Sequence, residues 1–390
     1  MRTSQDTPAA SGADQPVVSG PADRRDIDWR WALPRIALVF IATRLLLLAV
    51  ALAAQVAYPD LQAPAHLVSD DRPLLRSLTA WDGVWYRSIA DTGYHAEIVR
   101  WPDYAFSPLY PVAIRGTTVL LPDSGIAALL ISNVAFALAL VALYVLSVRY
   151  LPRERAMYSL WLLGLAPGAI AFGLAYTESL FLLLAVSAFL AAEYRRHWAV
   201  GVLVLLATLT RPTGILLLLP LLVLYAQRDG WRPTRAWLPL ALAPIALAAW
   251  WAYLWWLTGD PMASLHVQGY WDIPPDPSAV AAAEHDAGSL PLAPVILMYY
   301  AMIGLYTFSL VFVRPSRFPT AYRVLLVVAI GSLFLAGRLD SAVRYLAVAW
   351  PAYWGFATRE SFLGRAFVLA VLAALQVVLL WYLFTWNALP

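Results

Sequence analysis

The chain contains no cysteine, and only 13% of its 390 residues are charged. Without cysteine there is no disulfide staple, no thiolate metal site and no cysteine nucleophile. Lysine is absent as well, so all 27 basic residues are arginine; with 24 acidic residues they leave a formal charge of +3. No basic run exists, and the arginines punctuate apolar stretches, which argues for membrane topology and against a nucleic-acid partner. HExxH, Cys/His clusters, P-loops and GxGxxG are missing too, removing support for zinc hydrolysis, ATP coupling and dinucleotide binding.

What is present is apolar. Soluble domains run at roughly 45–50% apolar and about 25% charged residues, whereas this chain is 61% hydrophobic with a mean hydropathy of +0.66. A soluble enzyme is excluded. The first residues, Met1 to Asp28, lack an apolar core and read as a disordered cytoplasmic tail rather than a signal peptide. Residues 29–390 read as a single all-α, polytopic membrane domain.

A spanning helix needs about 20 largely apolar residues. On that ruler eleven candidate spans are expected: Ala32 to Ala57, Gly125 to Val148, Ala156 to Phe172, Ser179 to Ala192, Val200 to Leu209, Thr213 to Tyr225, Ala236 to Leu257, Pro291 to Val313, Tyr322 to Ala336, Ala342 to Phe356 and Ala366 to Phe384. Some are short or interrupted by Pro and Gly. Most arginines, including Arg149, Arg153, Arg155, Arg195, Arg196, Arg228, Arg232 and Arg235, then fall on one side. The positive-inside rule makes that side cytoplasmic, so the N-terminus is expected inside and the C-terminus outside. Two long connections, 58–124 and 259–290, lie on the outer face, where a site is commonly built on a rigid scaffold.

Within the first outer loop, Trp81-Asp82-Gly83-Val84-Trp85-Tyr86-Arg87-Ser88-Ile89 has helical spacing. Trp81, Val84, Trp85, Ser88 and Ile89 share one arc, and Gly93 supplies a stop, so a short interfacial amphipathic helix is expected. Asp82 lies at the edge of that arc. Two readings stand side by side: a partly desolvated carboxylate suited to proton abstraction, and a helix N-cap beside an aromatic belt. Downstream, Ala105-Phe106-Ser107-Pro108-Leu109-Tyr110-Pro111 predicts a rigid turn feeding another interfacial helix up to Leu121. Asp70-Asp71 and Asp103 are either divalent-cation ligands or a solvated loop.

The WDGxWYxxIAxxGY stretch followed by AFxPLYP resembles the PIG-V type mannosyltransferases, relatives of GPI mannosyltransferase 2, within the GT-C class of integral membrane glycosyltransferases. Further matching stretches are Pro167-Gly168, Tyr176-Thr177-Glu178-Ser179-Leu180-Phe181, Thr210-Arg211-Pro212-Thr213-Gly214, Gly259-Asp260-Pro261 with His266, Gln268 and Trp271, and Arg344-Tyr345. The resemblance implies a GT-C-like fold and a polyprenyl-phosphate sugar donor, usually mannose, used at the outer face with inversion. It also implies a base at Asp82. The lysine-free, bacterial-looking chain makes a GPI precursor a poor acceptor, so an unidentified glycan, glycolipid or protein acceptor is expected.

That chemistry asks for a base, for cations on the leaving phosphate and for exclusion of water. Asp82 serves the first. Arginines bind phosphate through paired hydrogen bonds, and Arg211, Arg344 and Arg338 are the candidates, although Asp340 and Arg344 are spaced to pair with each other. Trp81, Trp85, Tyr86, Phe106, Tyr110, Tyr176, Glu178, His266, Gln268 and Trp271 are expected to shape the substrate cavity. Glu178 reads equally as a residue favoured by the dipole at a helix start, and His266 as a solvent-exposed loop histidine. A monophosphate leaving group lowers the need for a metal, so neither metal nor cofactor is expected. The rival functions are a transporter or lipid flippase, kept open by Arg44 inside the first span, and a membrane scaffold in which Asp82 is dispensable.

Overall fold

Long apolar runs in a bilayer must satisfy their backbone polar groups within the segment, which favours helices. In the computed structural model, which describes residues 27–59, 69–95, 103–267, 293–336, 341–358 and 362–386, every regular element among the described residues is helical. The protein is an all-α, multi-pass membrane protein. Residues 1–26 of the expected tail, and most of the 259–290 loop, lie outside the described residues.

Helix α1 (Trp29–Ala57) opens the bundle, its first turn capped by the Asp28 carboxylate, which accepts from the Trp31 amide at 3.1 Å. The first outer loop then folds into α2 (Pro73–Leu78), α3 (Asp82–Thr92) and α4 (Leu109–Thr118). Helix α5 (Ser124–Ser147), capped by Asp123, returns through the bundle. Next come α6 (Arg153–Leu165), α7 (Glu178–Glu193), α8 (His197–Thr210), α9 (Leu218–Asp229) and α10 (Leu242–Thr258). The short α11 (Ala263–His266) precedes α12 (Ala293–Ser309) and α13 (Thr320–Ala336). Two short helices, α14 (Ala342–Ala347) and α15 (Pro351–Ala357), lead into α16 (Phe362–Phe384).

Among the described residues, Trp29–Ala57, Ser124–Ser147, Arg235–Thr258 and Gly364–Phe384 are each long and apolar enough to cross a membrane. A fifth crossing results if α6 and the 3-10 segment Pro167–Gly173 are taken as one span bent by 81°. The other expected spans are shorter helices. The stretch 342–356, expected as one span, is instead two helices, because Pro351 begins a new one and has no amide hydrogen to continue the old.

The bend after Leu165 is built by residues far apart in the chain. A β-carbon on Gly168 would lie 1.9 Å from the Val343 carbonyl oxygen, so only glycine lets the 3-10 segment press against α14. The carbonyls freed by the break do not go unpaired. Gln376 of α16 donates from Nε2 to the oxygens of Gly164 and Ala166, both at 3.3 Å.

The two ends of α7 gather opposite charge partners. At its C-terminal end, Glu193 accepts from Tyr150 Oη at 2.5 Å, Tyr322 Oη at 3.1 Å and Arg228 Nη2 at 2.5 Å, with Arg149 Nε 3.5 Å away. An aromatic layer of Tyr150, Phe318, Tyr322 and Trp354 packs around this knot. Fifteen residues away, a distance of about 22 Å along a helix, Glu178 opens the same helix and faces the site.

Candidate functional site

Helix α3 is fastened before it is functional. Arg87 donates from Nη1 to Ser69 and Thr79, both at 3.0 Å, and from Nη2 to Asp70 at 3.3 Å, tying α3 to the segment before it and to α2. Arg72 grips Asp70 at 2.8 Å and Asp123 at 2.5 Å. The Arg72 side chain hydrogen-bonded to Asp70 holds that carboxyl down at about 2. Gly93, at φ 85°, ends the helix where the sequence places its stop.

The buried face of α3 differs from the expected arc. Gly83, Tyr86, Ile89 and Ala90 point inward, while Val84, Trp85 and Ser88 are half-buried. Tyr86 sets this rotation: its ring meets Phe106 and Tyr110 edge-on at 5.0 and 5.1 Å, and its hydroxyl lies 3.4 Å from Thr177 Oγ1. Four residues before Tyr86, Asp82 shares its side of the helix. The N-cap position belongs to Trp81, held at φ 59° and ψ −125°. A non-glycine residue there costs on the order of 1–3 kcal/mol, a kind of strain that clusters at functional sites.

Asp82 occupies the first helical position, and its carboxylate points at α14. Arg344 Nη1 donates to Asp82 Oδ2 at 2.6 Å. The same guanidinium places Nε 3.2 Å from Glu178 Oε1, an ionic contact without hydrogen-bond alignment. Arg211 Nη1 donates to that same oxygen at 2.5 Å and to Thr177 Oγ1 at 3.3 Å. Asp82, Arg344, Glu178 and Arg211 thus form one continuous chain of alternating charge. Tyr345 lies beside both cations, 4.5 Å from the Arg211 guanidinium carbon and 5.2 Å from that of Arg344, while Tyr176 approaches Arg344 at 5.1 Å.

Arg211 reaches this place through a second break. A β-carbon on Gly214 would sit 2.4 Å from the Ala207 carbonyl carbon, so the turn beginning at Pro212 can fold back onto α8. The chain of charges borders a cavity of about 540 Å³ whose lining includes Asp82, Tyr86, Phe106, Glu178, Arg211 and Arg344. Its remaining wall is mostly apolar, with Leu216 from the 3-10 turn after Arg211, Leu247 from α10, and Leu325 and Val328 from α13.

The other expected cavity residues are placed differently. Trp81 packs toward Trp386, with ring centroids 5.8 Å apart, and does not line the cavity. Trp85 stacks on Phe106 at 6.1 Å, one layer back. Tyr110 is fully buried behind the lining, its hydroxyl donating to the Ala128 carbonyl at 2.9 Å and lying 2.7 Å from Ser132 Oγ. Tyr176 is likewise buried under Arg344. His266 faces away, its Nδ1 2.7 Å from Asp260 Oδ2, while its neighbours Ser264 and Leu265 line the cavity. Gln268, Trp271, Arg338 and Asp340 lie outside the described residues.

Trp251 and Trp350 line the cavity without having been singled out by the sequence, and Tyr345 and Ser107, quoted only within motif stretches, line it too. Tyr345 had a signal, its place beside Arg344; the others had none stronger than an aromatic or hydroxyl in an apolar run. Among the described residues no three His, Asp or Glu side chains converge as metal ligands, and Asp70 and Asp103 are engaged by Arg72 with Arg87 and by His95.

The chain has a GT-C-like polytopic helical fold, shared with solved integral membrane glycosyltransferases. It superposes on the oligosaccharyltransferase of Archaeoglobus fulgidus solved with a tethered acceptor peptide, with TM-score 0.51 and 12% identity over 93% of this chain and 56% of that one. ArnT from Cupriavidus metallidurans bound to undecaprenyl phosphate gives 0.50 and 17% over 89% and 64%. Residues 35–227 match the profile of the family described as mannosyltransferase (PIG-V). GPI alpha-1,6-mannosyltransferase 2 of Cricetulus griseus is 36% identical over 154 residues, and its Homo sapiens counterpart 34%. Each match covers 36% of this chain and 30% of the relative, so the chain spans under a third of the length of these curated relatives.

Proposed function

We propose that the protein transfers a hexose, mannose by the family profile it matches, from a polyprenyl-phosphate sugar to a lipid- or protein-linked acceptor at the outer face of the membrane, with inversion at the sugar carbon. The observation that carries this reading is the Asp82–Arg344–Glu178–Arg211 chain on the rim of a cavity whose far wall is apolar. A polyprenyl chain suits the apolar wall, and a phosphate suits the two guanidinia. A fold neighbour bound to undecaprenyl phosphate supports the same donor class.

In the reaction, the acceptor hydroxyl oxygen attacks the anomeric carbon while Asp82 takes its proton. The bond from that carbon to the phosphate oxygen breaks, and its electron pair leaves with the lipid phosphate. Arg344 and Arg211 stabilise that developing charge beside the apolar wall of the cavity. The two guanidinia bring the positive charge that a metal supplies in other transferases, so the proposal includes no metal. The positive-inside rule supports the outer-face location, since it assigns the arginine-rich side, with Arg149 and Arg228 beside Glu193 at the far end of α7, to the cytoplasm.

The test is transfer of radiolabelled mannose from polyprenyl-phosphate-mannose into any membrane product, in vesicles carrying wild type, Asp82→Asn or no protein. Wild type is expected to transfer label, and well-folded Asp82→Asn to lose it by about 10²-fold or more. Equal transfer by the two would remove Asp82 as base. No transfer with any lipid-phosphate sugar would remove the donor class.

A further inference from the structure

Arg344 stands between two carboxylates that are held very differently. Glu178 is 2% exposed and also gripped by Arg211, whereas Asp82 is 30% exposed at the cavity rim and has Arg344 as its cation. An anion entering the cavity meets Asp82 first and can replace it far more easily than Glu178. The proposed base and the donor phosphate therefore need the same donor group, Nη1 of Arg344. The Nε of that guanidinium stays directed at Glu178, 3.2 Å away, so a phosphate at the rim meets Arg344 through its Nη groups, where Asp82 is held.

We propose, resting on the donor reading above, that Asp82 is masked in the empty protein and that the donor's phosphate unmasks it by taking over Arg344. While the contact stands, the Asp82 lone pair is engaged by a guanidinium and is not offered to an acceptor. When phosphate oxygens accept the Arg344 hydrogens, Asp82 is released at the rim, next to the sugar carbon that the phosphate carries in. The donor binds first and the acceptor second, and water reaching the empty cavity finds no free base. Glu178 is a positioning residue in this scheme. It holds both guanidinia through one oxygen before and after the exchange.

The masked state lowers apparent affinity for the donor phosphate by the fraction of protein in which Arg344 is free. Removing the mask has an unusual consequence: a variant that cannot transfer sugar binds the lipid phosphate more tightly. The experiment titrates undecaprenyl phosphate, without sugar, into the full-length protein in zwitterionic nanodiscs, read by tryptophan emission. Asp82→Asn and Asp82→Ala are expected to bind roughly fivefold or more tighter than wild type. Glu178→Gln removes the same charge yet is expected not to tighten binding, and Arg344→Gln is expected to erase the gain in the Asp82→Asn background.

Equal affinity of wild type and the Asp82 variants overturns the proposal while leaving the donor reading in place. Tightening by Glu178→Gln as large as by Asp82→Asn overturns it as well, since the gain would then come from the general field. Failure of wild type and both Asp82 variants to bind the lipid phosphate overturns the donor reading and the proposal together.

Discussion

Gly168 and Val343 touch backbone to backbone: a β-carbon on the former would lie 1.9 Å from the carbonyl oxygen of the latter. Val343 precedes Arg344, so the 3-10 turn after α6 sets the height of the helix that reaches Asp82. Gly168→Ala is expected to push α14 away and cost about 1–3 kcal/mol, seen as a lower unfolding midpoint in detergent and weaker lipid-phosphate binding. Gly331→Ala, in α13 where a β-carbon meets nothing within 4 Å, is the matched control and is expected to leave both unchanged.

Arg344→Lys keeps the charge and loses the fork. A single ammonium cannot span Asp82 and Glu178 as the guanidinium does, and it does not lie flat beside Tyr176 and Tyr345. Sugar transfer is expected to fall at least about tenfold, or ~1.4 kcal/mol in the barrier, in the vesicle assay, with protein yield unchanged.

Glu193 tests the opposite end of the same helix. Its carboxylate is 4% exposed and binds Arg228, Tyr150 and Tyr322. Glu193→Ala strands those partners and is expected to cost on the order of 3 kcal/mol of stability. Because about 22 Å separates it from Glu178, affinity of the folded fraction for undecaprenyl phosphate is expected to stay at the wild-type value.

Asp70 gives a pH signature. Its folded value of about 2, set first by the Arg72 hydrogen bond, lies below the ordinary 3.8. A depressed carboxyl contributes stability that is present above its unfolded value and lost as pH falls through its folded one. The anchoring of the loop around α2 and α3 is therefore expected to hold above about pH 4 and weaken toward pH 2. Limited proteolysis by an acid-active protease, mapped to residues 58–124, checks this.

Sequence periodicity located α3 and its stop because both are local: a helical spacing, then a glycine that takes φ 85°. The rotation of that helix was not legible, since it is Phe106, Tyr110 and Thr177 that draw Tyr86 inward. Arg211 and Arg344 could be named as phosphate candidates from charge in apolar surroundings. The partnership of Arg344 with Asp82, 262 residues away in sequence, depends on how α14 is pressed by Gly168, and no local pattern encodes that. The division of 342–356 into two helices was foreshadowed only by Pro351, whose effect a hydropathy window averages away.

Two carboxylates and two guanidinia meet on the cavity, and their formal charges cancel. A neutral quartet projects little field beyond a Debye length of about 8 Å at physiological ionic strength, so phosphate and nucleotides free in solution feel no pull toward it. Discrimination begins only at contact, for molecules that, like the proposed lipid donor, reach the apolar wall. Turnover should accordingly respond to the two-dimensional concentration of carrier in the membrane and be nearly indifferent to added salt.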